Sequence, residues 1–279
     1  MLAPHPDDEV LAAGGAIQEH LRKKHIVKVV LATLGDGQRR GLLLPKKHFL
    51  RLGERRYRES LAALELLGVH RERVIALGYP DRGLAPLWQS NGSICSSRYT
   101  KVRAVPYEFA RTPHALYTKA ALLAELQEIF CQERPEIVYL PHPRDRHRDH
   151  QALYLFAEAA LHQSALHPQR RYYLIHYAGW PLPAGRHPQR PLTPPRRLRA
   201  QTWLNLELRP EQLQRKCEAI ARYRSQIKYF EENLFRFARR NELFALHAGP
   251  THESPSLSLH LPRFLAALRP ARNSDRSRG

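Results

Sequence analysis

Residues 25–34, His-Ile-Val-Lys-Val-Val-Leu-Ala-Thr-Leu, form a nearly unbroken β-branched, apolar run that stops at Gly35-Asp36-Gly37. A strand with one wet face alternates polar and apolar residues. One that does not alternate is covered on both faces, the setting of a parallel sheet between helical layers. The flanking chain agrees. Helical periodicity over 9–24, 52–67, 117–134 and 149–163 alternates with apolar strands at 25–34, 73–78, 136–140 and 171–178. This order predicts an α/β fold, a Rossmann-like three-layer sandwich with a mostly parallel sheet. An edge strand at 203–208 and C-terminal helices over 210–226 and 233–246 are expected to follow. Only Met1 to Pro4 precede the first polar turn. A usual strand has about 5–6 residues, so the first strand is expected to be truncated.

The expected organisation is one domain over 1–265, interrupted by a mobile Pro/Arg-rich loop at 180–199 and followed by a disordered basic tail at 266–279. Residues 84–116 read as a long irregular excursion of the kind that is functional or flexible. Gly14-Gly15 inside the first helix weakens it by propensity, which points to close packing at that spot.

The formal net charge is +19, which attracts polyanions such as nucleic acid, anionic lipid headgroups or anionic glycans. No nucleic-acid motif accompanies the charge, so no specific nucleic-acid partner is expected. No apolar run reaches the length of a transmembrane helix, and no signal peptide is visible. Cys95, Cys131 and Cys217 share no disulfide or zinc spacing and read as reduced, mostly buried thiols, which favours a cytoplasmic setting.

In a parallel α/β sheet, sites form beyond the carboxyl ends of the strands. Three polar turns stand there: Asp36, Asp81 in Tyr79-Pro80-Asp81-Arg82-Gly83, and the cluster His142-Pro143-Arg144-Asp145-Arg146-His147-Arg148-Asp149-His150. A fourth is His5-Pro6-Asp7-Asp8-Glu9. Three adjacent acids repel one another, and a divalent cation would relieve the repulsion. His5 and Asp8 are spaced by three, as are His147 and His150, so each pair can aim at one point. His142 reads as a supporting or buried residue rather than a ligand. The two stretches are expected to meet on one zinc ion with three protein ligands and an open position.

His5-Pro6-Asp7-Asp8-Glu9 before a hydrophobic helix, together with Arg146-His147-Arg148-Asp149-His150, resembles the PIG-L/LmbE family of zinc-dependent N-deacetylases. The resemblance runs from residue 1 to about residue 165, and less distinctly to the helix around Tyr223-Arg224-Ser225-Gln226. It implies that His5, Asp8 and His150 ligate the metal and that Asp7 is the general base. It implies that His147 polarises the carbonyl or stabilises the oxyanion, which in its protonated form it would do by donation. It implies that Arg56 and Asp81 bind substrate. Some members carry a tyrosine where this chain has Asp145. Glu9 is expected to support the site or start the helix, since acids are favoured at a helix N-terminus.

The expected function is zinc-dependent hydrolysis of the acetyl group from an N-acetylated amino sugar, with a small-molecule or glycoconjugate substrate. The alternative is a basic protein that binds nucleic acid or anionic glycan and keeps a structural or vestigial metal site. A metal phosphoesterase is disfavoured, because such sites use two ions and the ligands here suffice for one.

Overall fold

The computed structural model describes residues 1–37 and 44–248. The elements in chain order are β1 (Leu2–Ala3), α1 (Asp8–Arg22), β2 (Val29–Thr33), α2 (Lys46–Leu66), β3 (Val74–Tyr79), α3 (Leu84–Gln89), α4 (Lys119–Glu133) and β4 (Ile137–Pro141). They continue with α5 (Arg148–Gln163), β5 (Gln169–Tyr173), β6 (Trp203–Glu207), α6 (Pro210–Ile220), α7 (Arg224–Phe235) and β7 (Asn241–Ala245). Met1–Gly249 is one compact unit. The basic tail expected at 266–279 lies outside the described residues.

The strands pair as β1-β2-β3 and as β4-β5-β7-β6. The first set is parallel, with Leu2 opposite Val30 and Val30 opposite Ile75. In the second, β4 and β5 are parallel, and β7 runs antiparallel to both β5 and β6. Although short, β1 is held firmly. The Val30 N–H donates to Met1 O and the Thr33 N–H to Pro4 O. β1 also packs beside β4, and the Tyr173 hydroxyl on β5 donates to Leu2 O at 2.8 Å. The chain winds outward through β2 and β3, then returns to β4 and winds the other way. The seam between β1 and β4 is therefore the topological switch point, where such sheets place their sites. All five residues of β2 are buried, as its unbroken apolar run requires.

α1 is two helices joined at Ala13, whose φ of −137° is not helical. The free N–H groups of Gly15 and Ala16 after the break donate to the Glu242 carboxylate on β7, at 2.7 and 2.8 Å. A Cβ on Gly15 would lie 2.1 Å from the Leu208 side chain. Close packing thus accounts for the glycine pair.

Several expectations are corrected. The segment 233–246 is not one helix: α7 ends at Phe235 and residues 241–245 enter the sheet as β7. Their five side chains are all buried, so pairing between β5 and β6 satisfies backbone that a helix would have satisfied internally. The loop at 180–199 is tethered rather than mobile. The Trp180 Nε1–H donates to Thr193 O at 2.7 Å, Asn241 exchanges hydrogen bonds with the Leu192 backbone, and Leu192 and Leu198 are buried. Residues 84–116 form α3 and a folded loop whose Tyr99, Val105 and Tyr107 are buried. The three cysteines are free, but Cys131 is exposed and the other two are half-buried. Among the described residues, no helix is long and apolar enough to cross a membrane.

Candidate metal and catalytic site

The two polar stretches meet at the β1–β4 seam. His5 leaves β1, and the turn 142–147 leaves β4 and enters α5, where the His147 Nδ1 accepts the Asp149 N–H at 3.3 Å and so caps the helix. One turn on, His150 is fully buried. Asp8, at the start of α1, places its Oδ2 3.1 Å from His5 Nδ1 and 3.0 Å from His150 Nε2.

The far nitrogen of each histidine rests on a carboxylate. His5 Nε2 lies 3.2 Å from Asp149 Oδ2, and His150 Nδ1 lies 3.2 Å from Asp145 Oδ2. This is the arrangement by which supporting carboxylates fix a ligating imidazole and aim its other nitrogen at a metal. Asp149 also accepts the N–H groups of Arg82 and Leu84 at 2.6 and 3.1 Å, locking the β3–α3 turn to α5. Asp145 accepts the N–H groups of His147, Ile175 and His176 at 2.9–3.0 Å. Asp145 thus supports His150.

The donor set fits a divalent cation. Both ring nitrogens of His150 are buried without a hydrogen bond of acceptable geometry, despite carboxylates at 3.0 and 3.2 Å. Burial opposes its charge, but Asp145 and Asp8 outweigh burial and raise its pKa to about 10, so without an ion the ring is a cation held between two carboxylates, and a metal on Nε2 would take the place of that proton. Donor atoms of His5, His147 and His150 lie within 4.8 Å of one another, as do those of Asp8, His150 and His176.

Asp7 is set apart from Asp8 by its backbone. Its φ of 116° is strained for a residue with a side chain and turns it away from its neighbour. Three contacts hold it there. The Asp7 N–H donates to Glu9 Oε2 at 2.9 Å, and Arg56 Nη2 donates both to Asp7 Oδ2 at 3.1 Å and to Pro6 O at 2.7 Å. Glu9 is buried; its Oε1 accepts the Tyr223 hydroxyl at 2.6 Å and the Ser60 hydroxyl. Arg56 also donates to Gly35 O at 3.0 Å, and a Cβ on Gly35, at φ +60°, would strike that guanidinium at 2.0 Å.

The acids are not equivalent electrostatically. Burial, reinforced by repulsion from Asp8 and Glu9 and opposed by Arg56, raises the Asp7 pKa to about 7. Burial also works against the charged form of Asp8, but His150 and His5 outweigh it and hold its pKa well below the ordinary value. For Asp81, burial is outweighed mainly by His5 at 3.3 Å, and the pKa falls to about 2. Burial, with repulsion from His5 and His150, brings His147 down to about 2, so its ring is neutral. Since Nδ1 accepts the Asp149 N–H, the proton of the neutral ring belongs on Nε2.

These residues form the floor of a cleft of about 1070 Å³. Asp7, Arg56, Asp81 and His147 line it, and Tyr229 and Phe230 of α7 expose aromatic rings to it. Asp36 stays behind the wall, accepting the Asp81 N–H at 3.1 Å and the Tyr107 hydroxyl at 3.2 Å. His142 is not at the site. It is buried against Gln201 Oε1 at 3.0 Å, with its ring parallel to Trp203. The seven residues singled out from the sequence thus come together. The supporting positions of Asp145, Asp149, Ser60 and Tyr223 did not emerge from it. The two aspartates had a legible signal, flanking His147 by two residues on either side.

Residues 1–161 match the PIG-L family, GlcNAc-PI de-N-acetylase. The chain is 30% identical over 177 residues to the 1D-myo-inositol 2-acetamido-2-deoxy-alpha-D-glucopyranoside deacetylases of Mycobacterium sp. strains KMS and JLS. That match covers 61% of this chain and 52% of each relative, so the chain spans about half the length of the curated relatives it matches. The fold is similar to the conserved protein TT1542 from Thermus thermophilus, with TM-score 0.54, 20% identity, and 94% and 96% of the two chains covered. It is also similar to the N,N'-diacetylchitobiose deacetylase from Pyrococcus horikoshii, with TM-score 0.54, 17% identity, and 92% and 86% covered. The family match takes in more than half of the sequence and both halves of the metal cluster; the chain belongs to the PIG-L family.

Proposed function

We propose that this protein is a zinc-dependent N-deacetylase that hydrolyses the acetamide of an N-acetylated amino sugar. One observation carries the reading: a strained, half-buried Asp7 with a pKa of about 7 stands next to two histidines and an aspartate aimed at one point, on the floor of a cleft. The names of the mycobacterial and Pyrococcus deacetylases support the substrate class.

His5 Nδ1, Asp8 Oδ2 and His150 Nε2 would hold the ion. A bound zinc supplies Lewis acidity and lowers the pKa of water from about 16 toward about 7. The remaining chemistry belongs to the chain. Asp7 takes the proton of the attacking water at a carboxylate oxygen, and its pKa suits the exchange near neutral pH. Arg56 and Glu9 keep that carboxylate in place. His147 donates its Nε2–H to the oxygen of the acetamide as negative charge develops there. It does so as a neutral ring, and a donor of this kind is worth about 3–4 kcal/mol. Asp7 then passes its proton to the departing amine. Asp81 and Arg56, at the cleft wall, contact sugar hydroxyls.

The test is acetate release from N-acetylglucosamine conjugates by the zinc-loaded protein. Full activity in the Asp7→Asn, His150→Ala double variant would overturn the reading.

A further inference from the structure

The cleft does not end at its rim. Arg82, Arg146 and Lys228 line it, and none has an ion-pair partner among the described residues. Arg55 lines both the cleft and a neighbouring hollow of about 370 Å³ on the face of α2 and α7. That hollow adds Arg58, Arg222 and Arg224, all exposed. Its one carboxylate, Glu59, is already engaged by the Ser225 N–H at 2.9 Å, the Ser225 hydroxyl at 2.5 Å and Arg55 at 3.1 Å. Arg58 has Glu54 at 3.4 Å, whereas Arg222 and Arg224 have no carboxylate partner among the described residues.

Unpaired like charges on one surface repel one another and wait on an anion. Elsewhere this surface intersperses acids, as in Arg22 with Glu19 and Arg170 with Glu158. Three acids on the cleft floor, Asp7, Asp8 and Asp81, are faced by more cations than they balance, and a bound divalent ion would widen the excess. The hollow contains no aromatic ring and only Ala62 as an apolar residue. It therefore offers a nucleobase nothing to stack on and an acyl chain little to bury against.

We infer that the acetylated sugar is presented as a unit of an anionic glycan chain. Its carboxylate or phosphate groups lie against the unpaired cations of the rim and then along the arginines of the hollow, with Arg55 joining the two. This rests on the deacetylase reading for the sugar at the floor, and adds the charge and length of what is attached to it.

The experiment measures calorimetric binding of short and long N-acetylglucosamine-containing oligosaccharides to the full chain, between about 50 and about 200 mM salt. Three kinds are compared: neutral, glucuronate-bearing and phosphodiester-linked. The long anionic chains are expected to bind at least about tenfold tighter than the neutral chain of equal length, and to weaken steeply with salt. The tighter of the two anionic kinds identifies the group recognised. An Arg222→Ser, Arg224→Ser double variant loses the gain that comes with length but keeps short-chain binding within about twofold. Arg58→Ser repeats the test should the double variant not fold. Equal affinity for neutral and anionic chains overturns the inference, as does an unaltered long-chain affinity in the variants. Single-stranded DNA of matched charge binding as tightly as either glycan also overturns it. Acetate release separates the two claims. Charge-dependent binding with no acetate released from any chain defeats the deacetylase reading alone. Equal kcat/KM on neutral and anionic chains defeats the present inference alone.

Discussion

The ammonium of Lys216 on α6 lies 2.6 Å from the carboxylate of Glu242 on β7, and both side chains are shut off from solvent. The same carboxylate caps the second half of α1 through Gly15 and Ala16. One buried pair therefore joins three elements. Removing one partner strands a buried charge, at a cost of about 3–5 kcal/mol, whereas removing both together is far less costly. Urea unfolding should show Lys216→Met destabilised by about that amount, and the Lys216→Met, Glu242→Gln variant recovering part of it. A single variant within about 1 kcal/mol of the parent would contradict the account.

Asp7 holds a backbone conformation that glycine adopts freely. Its carboxylate is also half-buried and repelled by two others, Asp8 and Glu9. Asp7→Gly should therefore raise stability by about 1 kcal/mol in chelator. It should also abolish acetate release. A thermal melt and an activity assay on one preparation check both halves, and a less stable, inactive variant would mean that the Arg56 contact matters more than the strain.

Asp36 gives a pH dependence with a definite sign. Burial first, then repulsion from Asp81, raises its pKa in the folded protein to about 7. A group whose folded pKa is raised favours folding below its unfolded value, near pH 4, and loses that contribution as pH rises through about 7. Asp36→Asn should accordingly leave stability unchanged near pH 4 and raise it by about 1–3 kcal/mol at pH 8. A gain that is the same at both pH values would refute the assignment.

Tyr223 acts on Asp7 through Glu9. Without its hydroxyl, Glu9 keeps Ser60 alone on that oxygen, and its grip on the Asp7 N–H loosens. Loss of one such bond, about 1.4 kcal/mol, predicts that Tyr223→Phe lowers kcat about tenfold. KM should stay within about twofold, since the hydroxyl faces away from substrate.

Metal removal should be felt in the fold as well as in the chemistry. A cation bound at a concentration of 100 times its Kd adds about 2.7 kcal/mol. Chelation should therefore lower Tm, and His150→Ala should erase the difference between loaded and chelated protein. A Tm shift that survives in His150→Ala would place the ion elsewhere.

Much of this was legible in the sequence. The unbroken run in β2 gave the buried parallel sheet, the two His/Asp motifs after β1 and β4 gave His5, Asp7, Asp8, His147 and His150, and α2 and the turn after β3 added Arg56 and Asp81. Less local features were not legible. Residues 241–245 carry an apolar run too short to tell strand from helix by period, and only their neighbours β5 and β6 decide it. The break at Ala13 leaves no mark beyond Gly14-Gly15, because its cause is a carboxylate more than two hundred residues away. Ser60 and Tyr223 reach Glu9 from α2 and from the turn before α7, a convergence that no spacing reveals. The prolines at 181, 183 and 191 suggested mobility, whereas buried Leu192 and the Asn241 side chain hold the loop down.

The hydroxyl of Tyr223 on Glu9 has a consequence for how the chain divides. The family match stops at residue 161, yet the hold on Asp7 is completed from residue 223, and α1 is capped from residue 242. The end of the family match is therefore not a seam along which the molecule can be cut. A fragment ending at 161 would keep every proposed metal ligand and still leave Glu9 and the Gly15 and Ala16 N–H groups without their partners, so inheritance of the motif and inheritance of the working site are separate matters.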